Sequence, residues 1–203
     1  MKKILFVLFL AIITLTIRAQ RFNGGILAGF NGSQVEGDNY KGYNKPGAVA
    51  GFYVETDIAP AVFAGMEIKL NQKGARKNPT TKDPDKYIMR LNYIDVPVYA
   101  GFRTGEWGAV LAGIQPGYLL SGKEFDVYGE FPPQDQAEFN NLDLQALIGF
   151  QFDFLDYLKA DLRFSLSVLP IRGKPGVDTP VYWLNSQFNN VISLALYYQI
   201  GGR

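Results

Sequence analysis

The stretch "DYLKADLRFSLSVLP", residues 156–170, alternates strictly. Lys159, Asp161, Arg163, Ser165 and Ser167 interleave with Leu158, Ala160, Leu162, Phe164, Leu166 and Val168. Successive side chains of a strand point to opposite faces, so this is a strand with one charged face and one apolar face. Two architectures accommodate it. In a secreted, lipocalin-like carrier the charged face meets water and the apolar face a core. In a membrane barrel the apolar face meets lipid, and the charged face turns inward.

The same two-residue period recurs along the chain, while no stretch after Gln20 holds a helical period for three turns. Eight runs stand out, at 22–33, 46–57, 62–71, 89–103, 107–120, 141–153, 157–169 and 188–200. Their connections alternate in length. "IAPA" (58–61), "TGE" (104–106) and "LDY" (155–157) are tight, whereas 34–45, 72–88, 121–140 and 170–187 are long and hold most of the Gly, Pro and Asp. An even strand count with short turns on one rim and long loops on the other predicts an all-β fold. It is an eight-stranded antiparallel up-and-down transmembrane β-barrel with short periplasmic turns and long extracellular loops.

Parity through each run gives two sets. One, exemplified by Ile68, Leu70, Ile94, Val98, Ile148, Phe150, Leu162 and Phe164, carries no charge. The other holds Glu55, Glu67, Lys69, Asp95, Arg103, Asp143, Lys159, Asp161 and Arg163, with Asp57, Asp153 and several Gln and Tyr. A Lys or Arg facing lipid at the midplane costs about 2–4 kcal/mol, so in a membrane barrel this second set points inward. Eight strands enclose a space that side chains fill, and charges there must neutralise one another. The nine ionisable residues named first are therefore predicted to form a structural polar network that plugs the lumen. The uncharged face, the sorted loops and the outward aromatics near strand ends (Phe30, Phe102, Tyr118, Phe152, Tyr198) favour the membrane over the soluble carrier.

Composition narrows the function. Among 203 residues, 22 Gly, 12 Tyr and 15 Phe suit strands, turns and interfacial belts. A formal net charge of +1 gives no case for nucleic acid as a partner. The absence of His and Cys removes disulfides, imidazole acid–base catalysis, thiolate nucleophiles and the usual zinc and haem ligands. No enzyme activity and no cofactor are expected. Met1, Lys2 and Lys3, then an apolar run ending "IRAQ", read as a signal peptide over residues 1–19, leaving one barrel domain over 20–203.

Particular words add a resemblance. "GGILAGFNGS" (24–33), "GMEIKLNQKG" (65–74), "LNYIDVPVYAGF" (91–102), "AGIQPGYLLSG" (112–122) and "LDLQALIGFQF" (142–152) resemble, in order and spacing, the PorT-like outer-membrane β-barrel family of Gram-negative bacteria. The resemblance implies an eight-stranded barrel in the cell outer membrane. It also implies a link to protein secretion, since the family's founding member is associated with secretion and gliding machinery. One departure is the end: such barrels usually finish on an aromatic residue, and this chain ends "YYQIGGR".

The chemistry left to the loops is electrostatic. Loop 72–88 holds Lys73, Arg76, Lys77, Lys82 and Lys86, and loop 121–140 holds Glu124, Asp126, Glu130, Asp135 and Glu138. The two are expected to pair across one rim and partly cap the barrel, with lipopolysaccharide phosphates as a competing partner for the basic loop. The expected protein is a non-enzymatic barrel in contact with outer-membrane lipids, serving as an accessory or structural subunit of an envelope or secretion complex. The alternative is a small transport or sensing barrel that passes a solute or ion along its polar interior.

Overall fold

The computed structural model describes residues 22–38, 40, 42–81, 84–105, 107–132, 137–173 and 186–200. The predicted signal peptide, 1–19, lies outside them. Sustained alternation becomes strand throughout. In chain order these are β1 (Phe22–Glu36), β2 (Lys45–Ala59), β3 (Val62–Lys77), β4 (Tyr87–Asp95) and β5 (Val98–Arg103). They continue with β6 (Gly108–Phe125), β7 (Leu142–Leu155), β8 (Leu158–Ser167), the short β9 (Arg172–Gly173) and β10 (Ser186–Ile200).

Eight positions close into a ring of antiparallel neighbours, because β1 pairs with both β2 and β10. The fourth position is shared. β3 pairs with β5 over Val62–Met66 and with β4 over Lys69–Lys77, and β6 spans the same two pieces from the other side. Pro97, which has no N–H to give a ladder, lies between the pieces. The ring stays continuous there, since the Pro97 carbonyl accepts the Glu67 N–H at 3.0 Å and the Val96 N–H reaches the Pro116 carbonyl at 2.8 Å. No edge strand is left open in this ring, which is what a sheet in hydrocarbon requires.

Two-residue turns, Pro60-Ala61 and Asp156-Tyr157, join β2 to β3 and β7 to β8. The opposite rim carries connections 37–44, 78–86, 126–141 and 168–185, the last interrupted by β9. The first three are shorter than the sequence predicts because the strands run on. β6 has 18 residues, whereas about 9–11 suffice to cross a bilayer. Residues 72–77 and 121–125, predicted as loop, are ladder: Lys73 lies opposite Leu91 and Lys123 opposite Arg90. The wall of the barrel therefore stands above the lipid on the long-loop side.

Exposure decides which face is inside. Phe52 is 64% exposed, Ile68 53% and Leu196 53%, while Glu67 and Arg163 are each 2% exposed and Asp95 is fully buried. Contiguous apolar surface beyond a few hundred Å² is rare on a soluble monomer, and this belt runs around the barrel on every ring strand. Lipid is the solvent that fits it, so the soluble-carrier reading inverts the two faces. Phe22, Trp107, Phe154 and Tyr157 ring the short-turn rim, with Tyr157 edge-on to Tyr198 at 5.9 Å.

β6 carries a bulge where it faces β4. β4 pairs Asn92 with Ser121 but Tyr93 with Leu119, so Leu120 is an extra residue in β6 and points outward. Such a bulge reverses parity. Below it Leu111 and Gln115 face inward; above it the inward residue is Glu124.

Candidate functional site

The interior is built in floors. On the lowest, nearest the short turns, Phe63, Tyr99, Ala109, Leu111 and Leu147 pack together. Glu55 lies level with them and accepts from Lys159 Nζ at 2.6 Å, Tyr99 Oη at 3.0 Å and Gln151 Nε2 at 3.2 Å. The middle floor centres on Arg163. Its guanidinium donates to Glu67 at 3.0 Å, to Asp161 at 2.8 Å and to Tyr197 Oη at 3.2 Å, and lies 4.9 Å from the Tyr99 ring centroid. Lys69 reaches the second Glu67 oxygen at 3.0 Å, and Tyr197 donates to Glu67 at 2.8 Å.

The upper floor centres on Lys73. Its ammonium donates to Asp95 at 2.9 Å, Gln145 at 3.1 Å and Asp143 at 3.4 Å, and lies 4.5 Å from the Tyr93 ring centroid. Neutral donors complete both carboxylates: Asn71 and Gln115 on Asp95, Ser167 and Asn189 on Asp143. These contacts matter for the charge balance. Lys69, Lys73, Lys159 and Arg163 stand against Glu55, Glu67, Asp95, Asp143 and Asp161, which leaves one carboxylate in excess. Hydrogen bonds donated to a carboxylate favour its charged form and offset part of the cost of burial.

Over the charged floors lies an apolar cluster of Val35, Ala75, Met89, Leu91, Tyr93 and Ile171. A buried pair roofs it: Arg172 grips both Glu124 oxygens, at 2.7 and 2.8 Å, and stacks 4.2 Å from the Phe139 ring. Tyr87 also donates to Glu124. The pair ties the last long connection across the mouth of the barrel to β6. Beside it, after β1, Asp38 Oδ1 accepts the Tyr40 N–H at 2.8 Å, while its buried Oδ2 has no hydrogen-bond partner among the described residues. Burial pushes this carboxyl up to about 6. Among the described residues no group of three or more Asp or Glu is placed to hold a metal ion.

The outer face has a polar region of its own at the long-loop end of β2–β4. Lys45, Arg76 and Arg90 gather there with Gln72 and Asn92 around a cavity of about 340 Å³.

The model of a family described as outer membrane protein beta-barrel domain matches residues 18–172. The chain belongs to this family. Membership places the barrel in the outer membrane, with the short turns on the periplasmic side and the long loops outside. Among curated proteins no sequence matches. Solved structures share the fold. Ail of Yersinia pestis, crystallised with the heparin analogue sucrose octasulfate, is 16% identical with a TM-score of 0.51, over 89% of this chain and 99% of that one. Neisserial surface protein A is 9% identical with a TM-score of 0.51, over 90% of this chain and all of that one.

Within this family barrel, Glu55, Glu67, Lys69, Asp95, Asp143, Lys159, Asp161 and Arg163 lie together in the floors just described. Arg103 does not join them. As the last residue of β5 it reaches the periplasmic rim, where it pairs with Asp57 at 2.6 Å and both side chains are partly exposed, 34% and 59%. Asp153 is exposed at the same rim.

Three residues that sequence reasoning placed in loops belong to the interior. Lys73 is a continuation of the parity that runs from Glu67 through Lys69 and Asn71, a signal present in the sequence. Glu124 and Arg172 carry no such signal, because the bulge at Leu120 and the two-residue β9 break the count. The expected pairing of basic and acidic loops takes another form. Lys77 pairs with Asp85, both in the stretch 72–88, and Lys123 with Glu130, both in the stretch 121–140. The link between them is Tyr87, through Glu124 and a 6.3 Å ring contact with Phe131. Lys82, Asp83 and Asp135 lie outside the described residues.

Proposed function

We propose that this protein is a non-enzymatic, non-conducting outer-membrane barrel that works through its surfaces. It is exported by a signal peptide over 1–19 and serves as an accessory or structural subunit of a PorT-like envelope complex linked to secretion. The observation that carries the closed-lumen reading is the burial of the interior charges. Side chains lining a water-filled channel stay accessible to water, whereas Glu67, Asp95, Asp143, Lys73 and Arg163 are between 0 and 2% exposed. A lumen so filled leaves the loops, the rims and the lipid-facing belt as the working surfaces. The lack of His and Cys supports a non-catalytic role. Contact of the long-loop rim with anionic outer-leaflet lipid, lipopolysaccharide in particular, is supported by the basic residues there, and the sulfated ligand of Ail is a parallel on the same fold.

The alternative is a small transport barrel that conducts along the polar interior. It draws on the one excess carboxylate of the upper floor. Single-channel recording of the full chain in planar bilayers separates the two. A closed lumen gives no stable conductance, and a reproducible open level would establish the transport reading. For the secretion link, a stoichiometric envelope partner is expected to co-purify in mild detergent, and a barrel that purifies alone from native membranes would contradict it.

A further inference from the structure

The basic cavity on the outer wall is not used by the closed lumen. Reading up the wall from the lipid belt, Ala50, Leu70 and Ile94 form one rung, and Gln72 pairs with Asn92 on the next. Arg90 lies opposite Gly74 on the rung above, and Arg76 opposite Ile88 on the one above that. Each two-residue step rises about 6.6 Å along the strand, which puts Arg90 roughly 13 Å along the strand from Leu70 and, at a tilt of about 45°, about 9 Å above it, level with the headgroups of a leaflet whose acyl chains cover the belt.

Two independent features suit an anion there. First, donors are available: the Lys45 ammonium gives one of its three N–H groups to the Pro46 carbonyl, at 2.8 Å, and keeps the others. Among the described residues, Arg76 Nε is buried without a hydrogen-bond partner and no carboxylate lines the cavity. Gln72 is fixed through its oxygen, which accepts the Ala48 N–H at 3.3 Å. Arg90 is steadied by stacking 4.8 Å from the Phe125 ring centroid. Two guanidiniums, an ammonium and an amide converging on one space match the oxygens of a phosphate monoester. Second, the wall directly below is grooved. Small residues at Ala50 and Gly51 lie between the ridges of Phe52, Ile68 and Leu70, leaving an apolar trough of about 490 Å³ on the same strands.

We infer that the outer face of β2–β4 binds a phosphorylated glycolipid of the outer leaflet, with its phosphate held by Lys45, Arg76 and Arg90 and an acyl chain in the trough below. This deepens the reading of the long-loop rim as a lipid contact and rests on it. A soluble sulfated polysaccharide would satisfy the charges but not the trough, so the lipid is the occupant the geometry favours.

The test is native mass spectrometry of the intact, detergent-folded protein titrated with diphosphorylated lipid A, with the same lipid A after phosphate removal, and with inorganic phosphate. Expected are tight binding of the diphosphorylated lipid, clear weakening without its phosphates, and a loss of roughly tenfold or more in Lys45→Gln/Arg76→Gln/Arg90→Gln. Arg103→Gln, at the periplasmic rim and away from the cavity, should bind like the parent. Should the triple variant lose the heat-modifiable gel mobility of a folded barrel, Arg90→Gln alone, whose side chain is exposed, carries the comparison. Parent-like binding by a folded variant would overturn the site while leaving the rim reading intact. Absence of lipid A binding by the parent would overturn both. Phosphate binding with the same variant dependence but no preference for the lipid would overturn the glycolipid assignment.

Discussion

At the scale of single residues, the interior charges divide by whether water can reach them. Arg163 is buried among Glu67, Asp161 and Tyr197, so its removal leaves two carboxylates in a closed space, with Lys69 as their one cation among the described residues. Arg163→Met is expected to destabilise the folded barrel by about 3–5 kcal/mol, read from urea unfolding in detergent micelles. Arg103→Gln breaks a partly exposed pair and should cost less than about 1 kcal/mol in the same assay. A buried carboxyl outside the membrane adds a pH effect. Asp38 is pushed up to about 6 from 3.8, so the folded loop binds a proton that the unfolded loop gives up. Its contribution is full below pH 3.8, declines as the pH rises and is lost above about 6. The protection factor of the Tyr40 amide, its exchange rate corrected for the intrinsic base-catalysed rise with pH, should therefore be higher at pH 5 than at pH 7.5, and Asp38→Asn should flatten the difference.

Elements are held by complementary pairs across the ladder. In β3 and β5, Phe63 lies opposite Gly101 and Gly65 opposite Tyr99, so each aromatic ring covers the glycine facing it, and the two rings meet edge to face at 6.4 Å. A methyl group at Gly101 would fall inside the Phe63 ring, and one at Gly65 inside the Tyr99 ring. Gly101→Ala or Gly65→Ala is expected to lower stability by about 1–3 kcal/mol, seen as a lower temperature for the heat-modified gel shift, while Lys86→Ala in the exposed connection 78–86 leaves that temperature within a few degrees. This scale also shows how far the sequence could be read. Alternation located all eight ring positions, because a face-to-lipid strand cannot slip by one residue without burying charge in hydrocarbon. It did not locate the ends. Polar residues continue the ladder above the membrane, where both faces are wet or packed against loops, so Lys73 resembled a loop lysine. The bulge at Leu120 then hid Glu124, and only the fold brings Arg172 to it from 48 residues away.

For the molecule as a whole, the faces of the strand at 156–170 carry the consequence. Leu162 and Phe164 look outward, 42% and 38% exposed, while Asp161, Arg163, Ser165 and Ser167 look into a filled space. The chain contains no cysteine, so single cysteines report one position each. Ser165→Cys and Ser167→Cys exchange a hydroxyl for a thiol at 4% and 0% exposure, and Lys123→Cys provides an exposed rim control. The decisive measurement is the rate at which a small water-soluble thiol reagent modifies these cysteines in the folded, reconstituted barrel. A closed, self-neutralising interior makes positions 165 and 167 unreactive until the protein is denatured, while position 123 reacts at once. Modification of 165 or 167 at the rate of the rim control would show a water-filled lumen and contradict the closed barrel.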